Sequence, residues 1–418
     1  MFLFGFRIRI EMKITNANLK IILDSRGQDT LEAELKSDDF SAIASVPAGK
    51  STGAHEAFVL EPKKALEKFE EIKNKILEKD FQSQKEFDNF LISLDGTENK
   101  SNLGGNLILA LSLAFARLKA KSEGKELFQY IRDNFQFSIF NFQSPRPIFN
   151  VINGGAHAQN KLEFQEFQVI PMVDDFGIAL SVGKEFYRKL QEFLENKFGK
   201  ENILLGDEAG YSAPFRNNEE AIECIAEVIE KYKYPLRIGL DVAATQFYKM
   251  NYELGIMNYG IYIIGGKEYS AEELKDYYLK LINAYNIISI EDPFHEEAFD
   301  DFAVLSHRIA TKDFLVITDD LTTTNPERLK TTINKKSGNA ILIKLNQIGT
   351  LAETLNVVKM AYENDWQAVV SHRSGETMDD FIADLSVAIN AWGIKAGAPA
   401  KPERLAKYNR ILEIHGKN

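Results

Sequence analysis

Three acidic residues stand at the C-terminal ends of short apolar runs: Asp241 closes LRIGLD, Glu291 follows NIISI, and Asp319 follows FLVIT. Two lysines stand the same way, Lys344 in AILIKLN and Lys395 in WGIKAG, and His372, Arg373 and Ser374 follow QAVVS. Glu291, Asp319, Lys344, His372 and Lys395 are separated by 28, 25, 28 and 23 positions, the length of one strand, one helix and two loops. In a barrel of parallel strands the C-terminal strand ends meet at one mouth. The spacing therefore predicts three carboxylates, two ammonium groups and a His-Arg-Ser triplet on one rim. Carboxylates gathered in a half-buried mouth are costly without a compensating cation. Oxygen ligands with neither Cys nor paired His favour Mg²⁺ over zinc. Lys344 lies in a strand that should be buried near other cations, so a lowered pKa and a general-base role are expected. Arg373 with Ser374 and His372 suits a phosphate or carboxylate. Each feature alone has an ordinary alternative, since a strand-end acid often caps a helix or pairs with a lysine.

The elements that must hold these residues are legible in outline. Segments such as TLAETLNVVKMAYEND and DDFIADLSVAINA have helical periodicity between the runs, so parallel strand–helix units and a closed barrel are expected. Between Asp241 and Glu291, MNYELGIMNYGIYIIGGKEYS reads as a strand-rich excursion rather than a full extra unit. In the first third, LKIILDSRG and TLEAELKSDDFSAIASV read as alternating strands. EPKKALEKFEEIKNKILEK and LILALSLAFARLKAKSEG read as amphipathic helices, giving a small α+β domain. FQSPRPIFNVING is the expected linker. The predicted division is an extension over 1–11, an α+β domain over 12–142 and a barrel over 143–418.

The 418-residue chain is 44% apolar, enough for a large core, and carries 50 Lys plus Arg against 61 Asp plus Glu, a formal charge of −11. That balance argues against a nucleic-acid or anionic-membrane partner. One cysteine, Cys224 in EEAIECIAEVIEKY, excludes an internal disulfide framework and suits a reducing, cytoplasmic setting as a small buried apolar group. No apolar run approaches the roughly 20 residues of a membrane span. The opening MFLFGFRIRIEM is interrupted by Arg7, Arg9 and Glu11 and reads as an extension, with Met12 an alternative start, rather than a signal peptide.

The ordered motifs LDSRGQDTLEAEL, SVPAGKSTGAHEA, NVINGGAHAQN, FQEF, GDEAG, GLDVAA, SIEDP, TDDL, IKLNQIGT and SHRSGET resemble those of the enolase family from about Met12 to the end. The resemblance implies an α+β domain before an enolase-type (β/α)8 barrel. It also implies a lyase that interconverts 2-phosphoglycerate and phosphoenolpyruvate in glycolysis and gluconeogenesis through an enediolate, for which such sites use a Lys or His base with Mg²⁺. Carried over, Asp241, Glu291 and Asp319 would hold the first Mg²⁺, and Ser51 would join a second recruited with substrate. Lys344 would be the base and Glu208 the acid, with Glu166 and His157 in the same polar network. Gln165, His372, Arg373, Ser374 and Lys395 would hold carboxylate and phosphate. The family implies a homodimer, octameric in some members.

The chain departs from the family's pattern at several positions. Gln28 and Asp29 follow DSRG, Ala48 and Lys50 replace small residues of the first loop, and Ala209 replaces a glycine in GDEAG. Gln159, Thr318 and Trp392 also differ, the last placing an indole close to Lys395 in sequence. Lys50 is expected to add a cation near the phosphate and to alter loop closure. Two rival readings are an acid-sugar dehydratase or epimerase with a similar barrel, which should lack the HRSGET and GKSTG segments, and a non-catalytic descendant, which should have lost an acid, base or metal ligand. This sequence has lost neither set.

Overall fold

The structure, a computed structural model, describes residues 11–50, 55–135, 143–250, 260–309, 311 and 313–416. Antiparallel strands Asn16–Leu23, Asp29–Lys36 and Ser41–Ser45 form the N-terminal sheet, followed by helices Pro62–Leu77, Gln84–Asp95, Gly105–Ser122 and Leu127–Phe135. The helix Pro62–Leu77 starts at a proline, whose missing N–H costs nothing there, and Glu61 caps it by accepting from the Lys64 amide. Its buried residues, Ala65, Phe69, Ile72 and Ile76, lie along one stripe. The helix Gly105–Ser122 departs from its expected amphipathic character, since residues 105–116 are buried without a break. It is wedged between the N-terminal sheet and the barrel's helices, so every face meets protein.

Eight strands close the barrel: β1 (Arg146–Asn153), β2 (Glu166–Pro171), β3 (Leu236–Asp241), β4 (Ile287–Glu291), β5 (Leu315–Thr318), β6 (Ala340–Ile343), β7 (Gln367–Ser371) and β8 (Gly393–Lys395). Neighbours follow chain order, and β8 pairs with β1 to close the ring. All six apolar runs picked out by sequence are barrel strands. RPIFNVIN, assigned above to the linker, is β1 itself; its Pro147 is tolerated at the strand's start. The proposed 142/143 boundary adjoins residues 136–142, which are outside the described set, as are residues 1–10. Not every strand is parallel: β2 runs against both β1 and β3. The strand-rich excursion is a three-stranded antiparallel sheet of Tyr248–Met250, Gly260–Ile264 and Lys267–Tyr269. Strands β3 and β4 pair directly beside it, so no extra unit intervenes.

Alternation sorts each strand between two cores. Ile148, Ile170, Ile288, Leu315, Ile317, Ala340, Leu342 and Val369 fill the barrel interior, while Ile341, Ile343, Val316 and Val370 pack outward with the helices. With a side-chain period of two, the inward set at 340 and 342 carries Lys344 inward, and that at 315 and 317 carries Asp319 inward. Trp392, at the start of β8, packs against the inner cluster with the Arg146 guanidinium 5.3 Å from its ring centroid. It closes the bottom of the barrel, at the opposite end from Lys395. Cys224 is fully buried in the helix Asn218–Tyr232, as expected. Among the described residues no helix is long and apolar enough to cross a membrane.

Candidate active site

Register sets the acidic rim. Asp241 on β3 lies opposite Glu166 at the start of β2 and opposite Glu291 at the end of β4. Because β2 is antiparallel, its N-terminal end reaches the mouth where its neighbours' C-terminal ends arrive, bringing Gln165 and Glu166 to the same rim. One cavity is lined by Gln165, Glu166, Asp241, Asp319, Lys344 and Lys395, together with His157, Glu208, His372, Arg373 and Ser374. Glu291 sits beneath, joined through Lys395. Ser51 lies outside the described residues.

The lysines organise the carboxylates into two groups. The buried Lys395 ammonium lies 2.8 Å from Asp241, 2.9 Å from Glu291 and 3.2 Å from Glu166. Lys344 pairs with Asp319, whose other oxygen accepts from Gln347 Nε2 at 2.9 Å. Burial is the largest influence and would lower the Lys344 pKa, but the neighbouring carboxylates, Asp319 foremost with Glu291, together raise it above its ordinary value. The expectation of a lowered value rests on cationic neighbours, which are present as Arg373 and Lys395, and omits the carboxylate of the adjacent strand.

Even with these pairs the pocket is short of positive charge. Burial and mutual repulsion push Glu166, Glu291 and Asp292 well above the usual carboxylate range and Asp320 up to about 7. Two clusters bring their ligand atoms within 4.8 Å of one another: Asp292 with Asp319 and Asp320, and His157 with Glu166 and Glu208. The predicted set of Asp241, Glu291 and Asp319 comes from three adjacent strands, with the two lysines bound among its oxygens. A charge-deficient, all-oxygen rim of this kind fits a hard divalent cation.

The opposite wall carries the second acid–base group. Glu208 accepts from Asn150 Nδ2 at 2.7 Å and lies 3.6 Å from both His157 Nδ1 and His372 Nε2. Burial and the Glu208 charge raise Glu166 well above the usual carboxylate range, so Glu166 holds the pair's proton, while His157, His372 and Arg404 offset burial and hold Glu208 low. The Arg404 guanidinium donates to His372 Nδ1, which places the ring proton on Nε2, facing Glu208. Burial keeps His372 neutral. Arg404 also donates to the carbonyls of Arg373, Ser374 and Asp207. Arg373 itself bonds Glu56 and Asn346, and Ser374 accepts from Arg26 at 3.2 Å. Gln165 donates to Asp241 at 3.1 Å.

Sequence reading missed Glu56, Asn150, Asp292, Asp320 and Arg404 as members of the site. Asp292 and Asp320 lie in SIEDP and TDDL beside residues that were chosen. Glu56 lines the cavity and Arg404 bonds His372 from behind it, both from remote segments with no local signal. Several non-glycine residues at the mouth hold left-handed backbone: Ala209 (φ 66°), Ala243 (φ 46°), Asp292 (φ 42°) and Thr324 (φ 50°). Such strain gathers where surrounding structure must impose geometry on a functional site.

Comparison with known proteins is consistent across the chain. Residues 14–131 match the model described as enolase, N-terminal domain, and residues 141–417 the model described as enolase, C-terminal TIM barrel domain. A protein named enolase from Methanocaldococcus jannaschii is 42% identical over 94% of this chain and 92% of its own length. One from Methanosarcina mazei is 42% identical over 97% and 94%, and one from Thermococcus gammatolerans 40% over 96% and 94%.

Proposed function

The chain belongs to the enolase family and catalyses the reversible dehydration of 2-phosphoglycerate to phosphoenolpyruvate, and on that premise we propose how its residues divide the work. Asp241, Glu291 and Asp319 would hold one Mg²⁺, and Ser51 would be a ligand of a second. The bound ions supply positive charge against the dianionic carboxylate that forms when the C2 proton leaves.

Lys344 removes the C2 proton. Its inward placement opposite the Glu166–Glu208–His157 wall supports this, because elimination needs a base and an acid on opposite sides of the substrate. Asp319 holds its amine protonated, so with that carboxylate turned to a metal ion the ammonium would first release its proton to solvent and then take the one from C2. Glu208 passes to the departing C3 hydroxyl the proton that its neighbour Glu166 holds, beside His157. Arg373, Ser374, His372, Gln165 and Lys395 hold phosphoryl and carboxylate groups. Removing a proton next to a carboxylate concentrates two negative charges on one group, and the Lys395 ammonium, already buried among carboxylates, lowers that cost. The working unit is a homodimer in the cytoplasm, as the family resemblance implies, with the barrel taken as 143–418 and the smaller domain as 12–142.

The observation that carries this reading is the cavity lined both by Lys344, just after the end of β6, and by Glu166, at the start of β2 four strands away around the ring, with Glu208 and His157 beside Glu166. Ultraviolet absorbance of the enol product, followed after mixing protein with 2-phosphoglycerate, tests it. Signal should require Mg²⁺ and fall by roughly 10²–10⁴-fold in Lys344→Ala, the usual cost of losing a general base. An unaffected Lys344→Ala enzyme would remove the base assignment.

A further inference from the structure

The first loop of the N-terminal domain is fixed to the barrel immediately before Lys50. Ala48 exchanges backbone hydrogen bonds with Gly375 at 2.8 and 2.9 Å, and Arg26 donates to the Ala48 carbonyl at 3.2 Å. Two residues on, the Lys50 ammonium donates to the carbonyl oxygen of Ala156 at 2.7 Å and to Asp207 at 3.1 Å. These acceptors are the residues immediately preceding His157 and Glu208. The segments carrying them leave different strands, and they meet through a long bond from the Asp207 amide to the His157 carbonyl, 3.4 Å, and through the 3.6 Å approach of His157 Nδ1 to Glu208. Ala156 is held from its other side, its amide donating to Gln246.

We propose that Lys50 is a positioning residue that braces the acid wall, fixing His157 and Glu208 relative to each other from the other domain. The proposal rests on the assignment of Glu208 as proton donor. Lys50 is half exposed, so its ion pair contributes little to stability. Its effect lies in placement, where a displacement of about 1 Å costs roughly 10²-fold in rate. Lys344, just after β6, is tied to Asp319 and Thr324, and among the described residues no bond joins it to the brace. The brace therefore acts on one half of the reaction, departure of the hydroxyl, and leaves removal of the C2 proton alone. A lysine that instead gripped the substrate phosphoryl group would act on binding.

The two halves separate in D₂O. With Mg²⁺-loaded full-length protein, deuterium entry at C2 of 2-phosphoglycerate reports proton removal, and formation of phosphoenolpyruvate reports complete elimination. Lys50→Met should slow elimination about 10- to 100-fold with C2 exchange within about twofold of the parent. Asp207→Asn should show the same split, and Lys50→Arg should restore most of the elimination rate because its fork can reach both acceptors. Equal slowing of exchange and elimination, or a raised KM with kcat unchanged, overturns the brace. Lys344→Ala in the same assay addresses the reading beneath it: persistence of C2 exchange there defeats the base assignment, independently of what Lys50 does.

Discussion

Replacing Asp88 by asparagine should flatten the pH dependence of stability between pH 4 and 7 without touching catalysis. Asp88 lies on the helix Gln84–Asp95 and is fully buried at the seam between domains. It accepts from the Ala352 amide, in the first turn of the barrel helix Leu351–Tyr362, and from Gln84, both at 2.9 Å. Burial outweighs these bonds and raises its carboxyl from 3.8 to about 7. Because the folded state keeps this proton after the unfolded chain has lost it, stability falls as pH rises across that interval. At about 1.36 kcal/mol per unit, the ionised carboxylate above pH 7 costs roughly 4 kcal/mol relative to acid. Unfolding entropy of about 2.1 cal/mol/K per residue gives roughly 0.9 kcal/mol/K for the chain, so the effect is about 4–5 °C in Tm. Scanning calorimetry of both proteins from pH 4 to 8 measures it. The Asp88→Asn variant should lie above the parent at pH 8 by that amount and converge with it near pH 4, with kcat at pH 7.5 equal. Parallel profiles, or a parent that gains stability toward pH 7 relative to the variant, would refute the reasoning.

Gly183→Ala should destabilise, although alanine is favoured in a helix by about 1 kcal/mol, because an added Cβ would stand 2.1 Å from the Phe149 ring; urea unfolding should show a net loss of about 1–3 kcal/mol. Lys395→Met should leave Asp241, Glu291 and Glu166 without their shared ammonium, lowering the chelator-treated Tm by the equivalent of about 3–5 kcal/mol, and Mg²⁺ should restore more of it than in the parent. Arg404→Met should cost a similar amount and raise KM, since the fully buried guanidinium holds the carbonyls of Arg373 and Ser374. Cys224, buried and with its thiol pushed up to about 11, should resist thiol reagents in the folded protein and react only on unfolding.

The barrel was legible because its chemistry obeys a simple parity. A strand such as AILI buries both faces and reads as an unbroken apolar run, and the first polar residue after it, Lys344, must fall at the mouth. The same logic found Asp241, Glu291, Asp319, His372 and Lys395. It failed where direction, rather than period, mattered: β1 follows one proline, carries another at its second position and resembled a linker, and nothing in EFQVIP announces that β2 runs backwards. The helix Gly105–Ser122 looked amphipathic because its few polar residues cluster at its end, whereas its burial depends on two layers that local sequence cannot reveal. Pairwise electrostatics was the least legible part. The direction of the Lys344 shift depends on Asp319 in the neighbouring strand, and Glu56 meets Arg373 across 317 positions of chain.

Crystals soaked in Mn²⁺, a scattering substitute for Mg²⁺, test the central assignment most directly through the anomalous signal. The account predicts a peak bonded to oxygens of Asp241, Glu291 and Asp319 at about 2.0–2.2 Å, with the Lys344 and Lys395 amines displaced from those oxygens. A peak held instead by Asp292 and Asp320, or by His157 with Glu208, while Asp241 and Glu291 keep their bonds to Lys395, would contradict it.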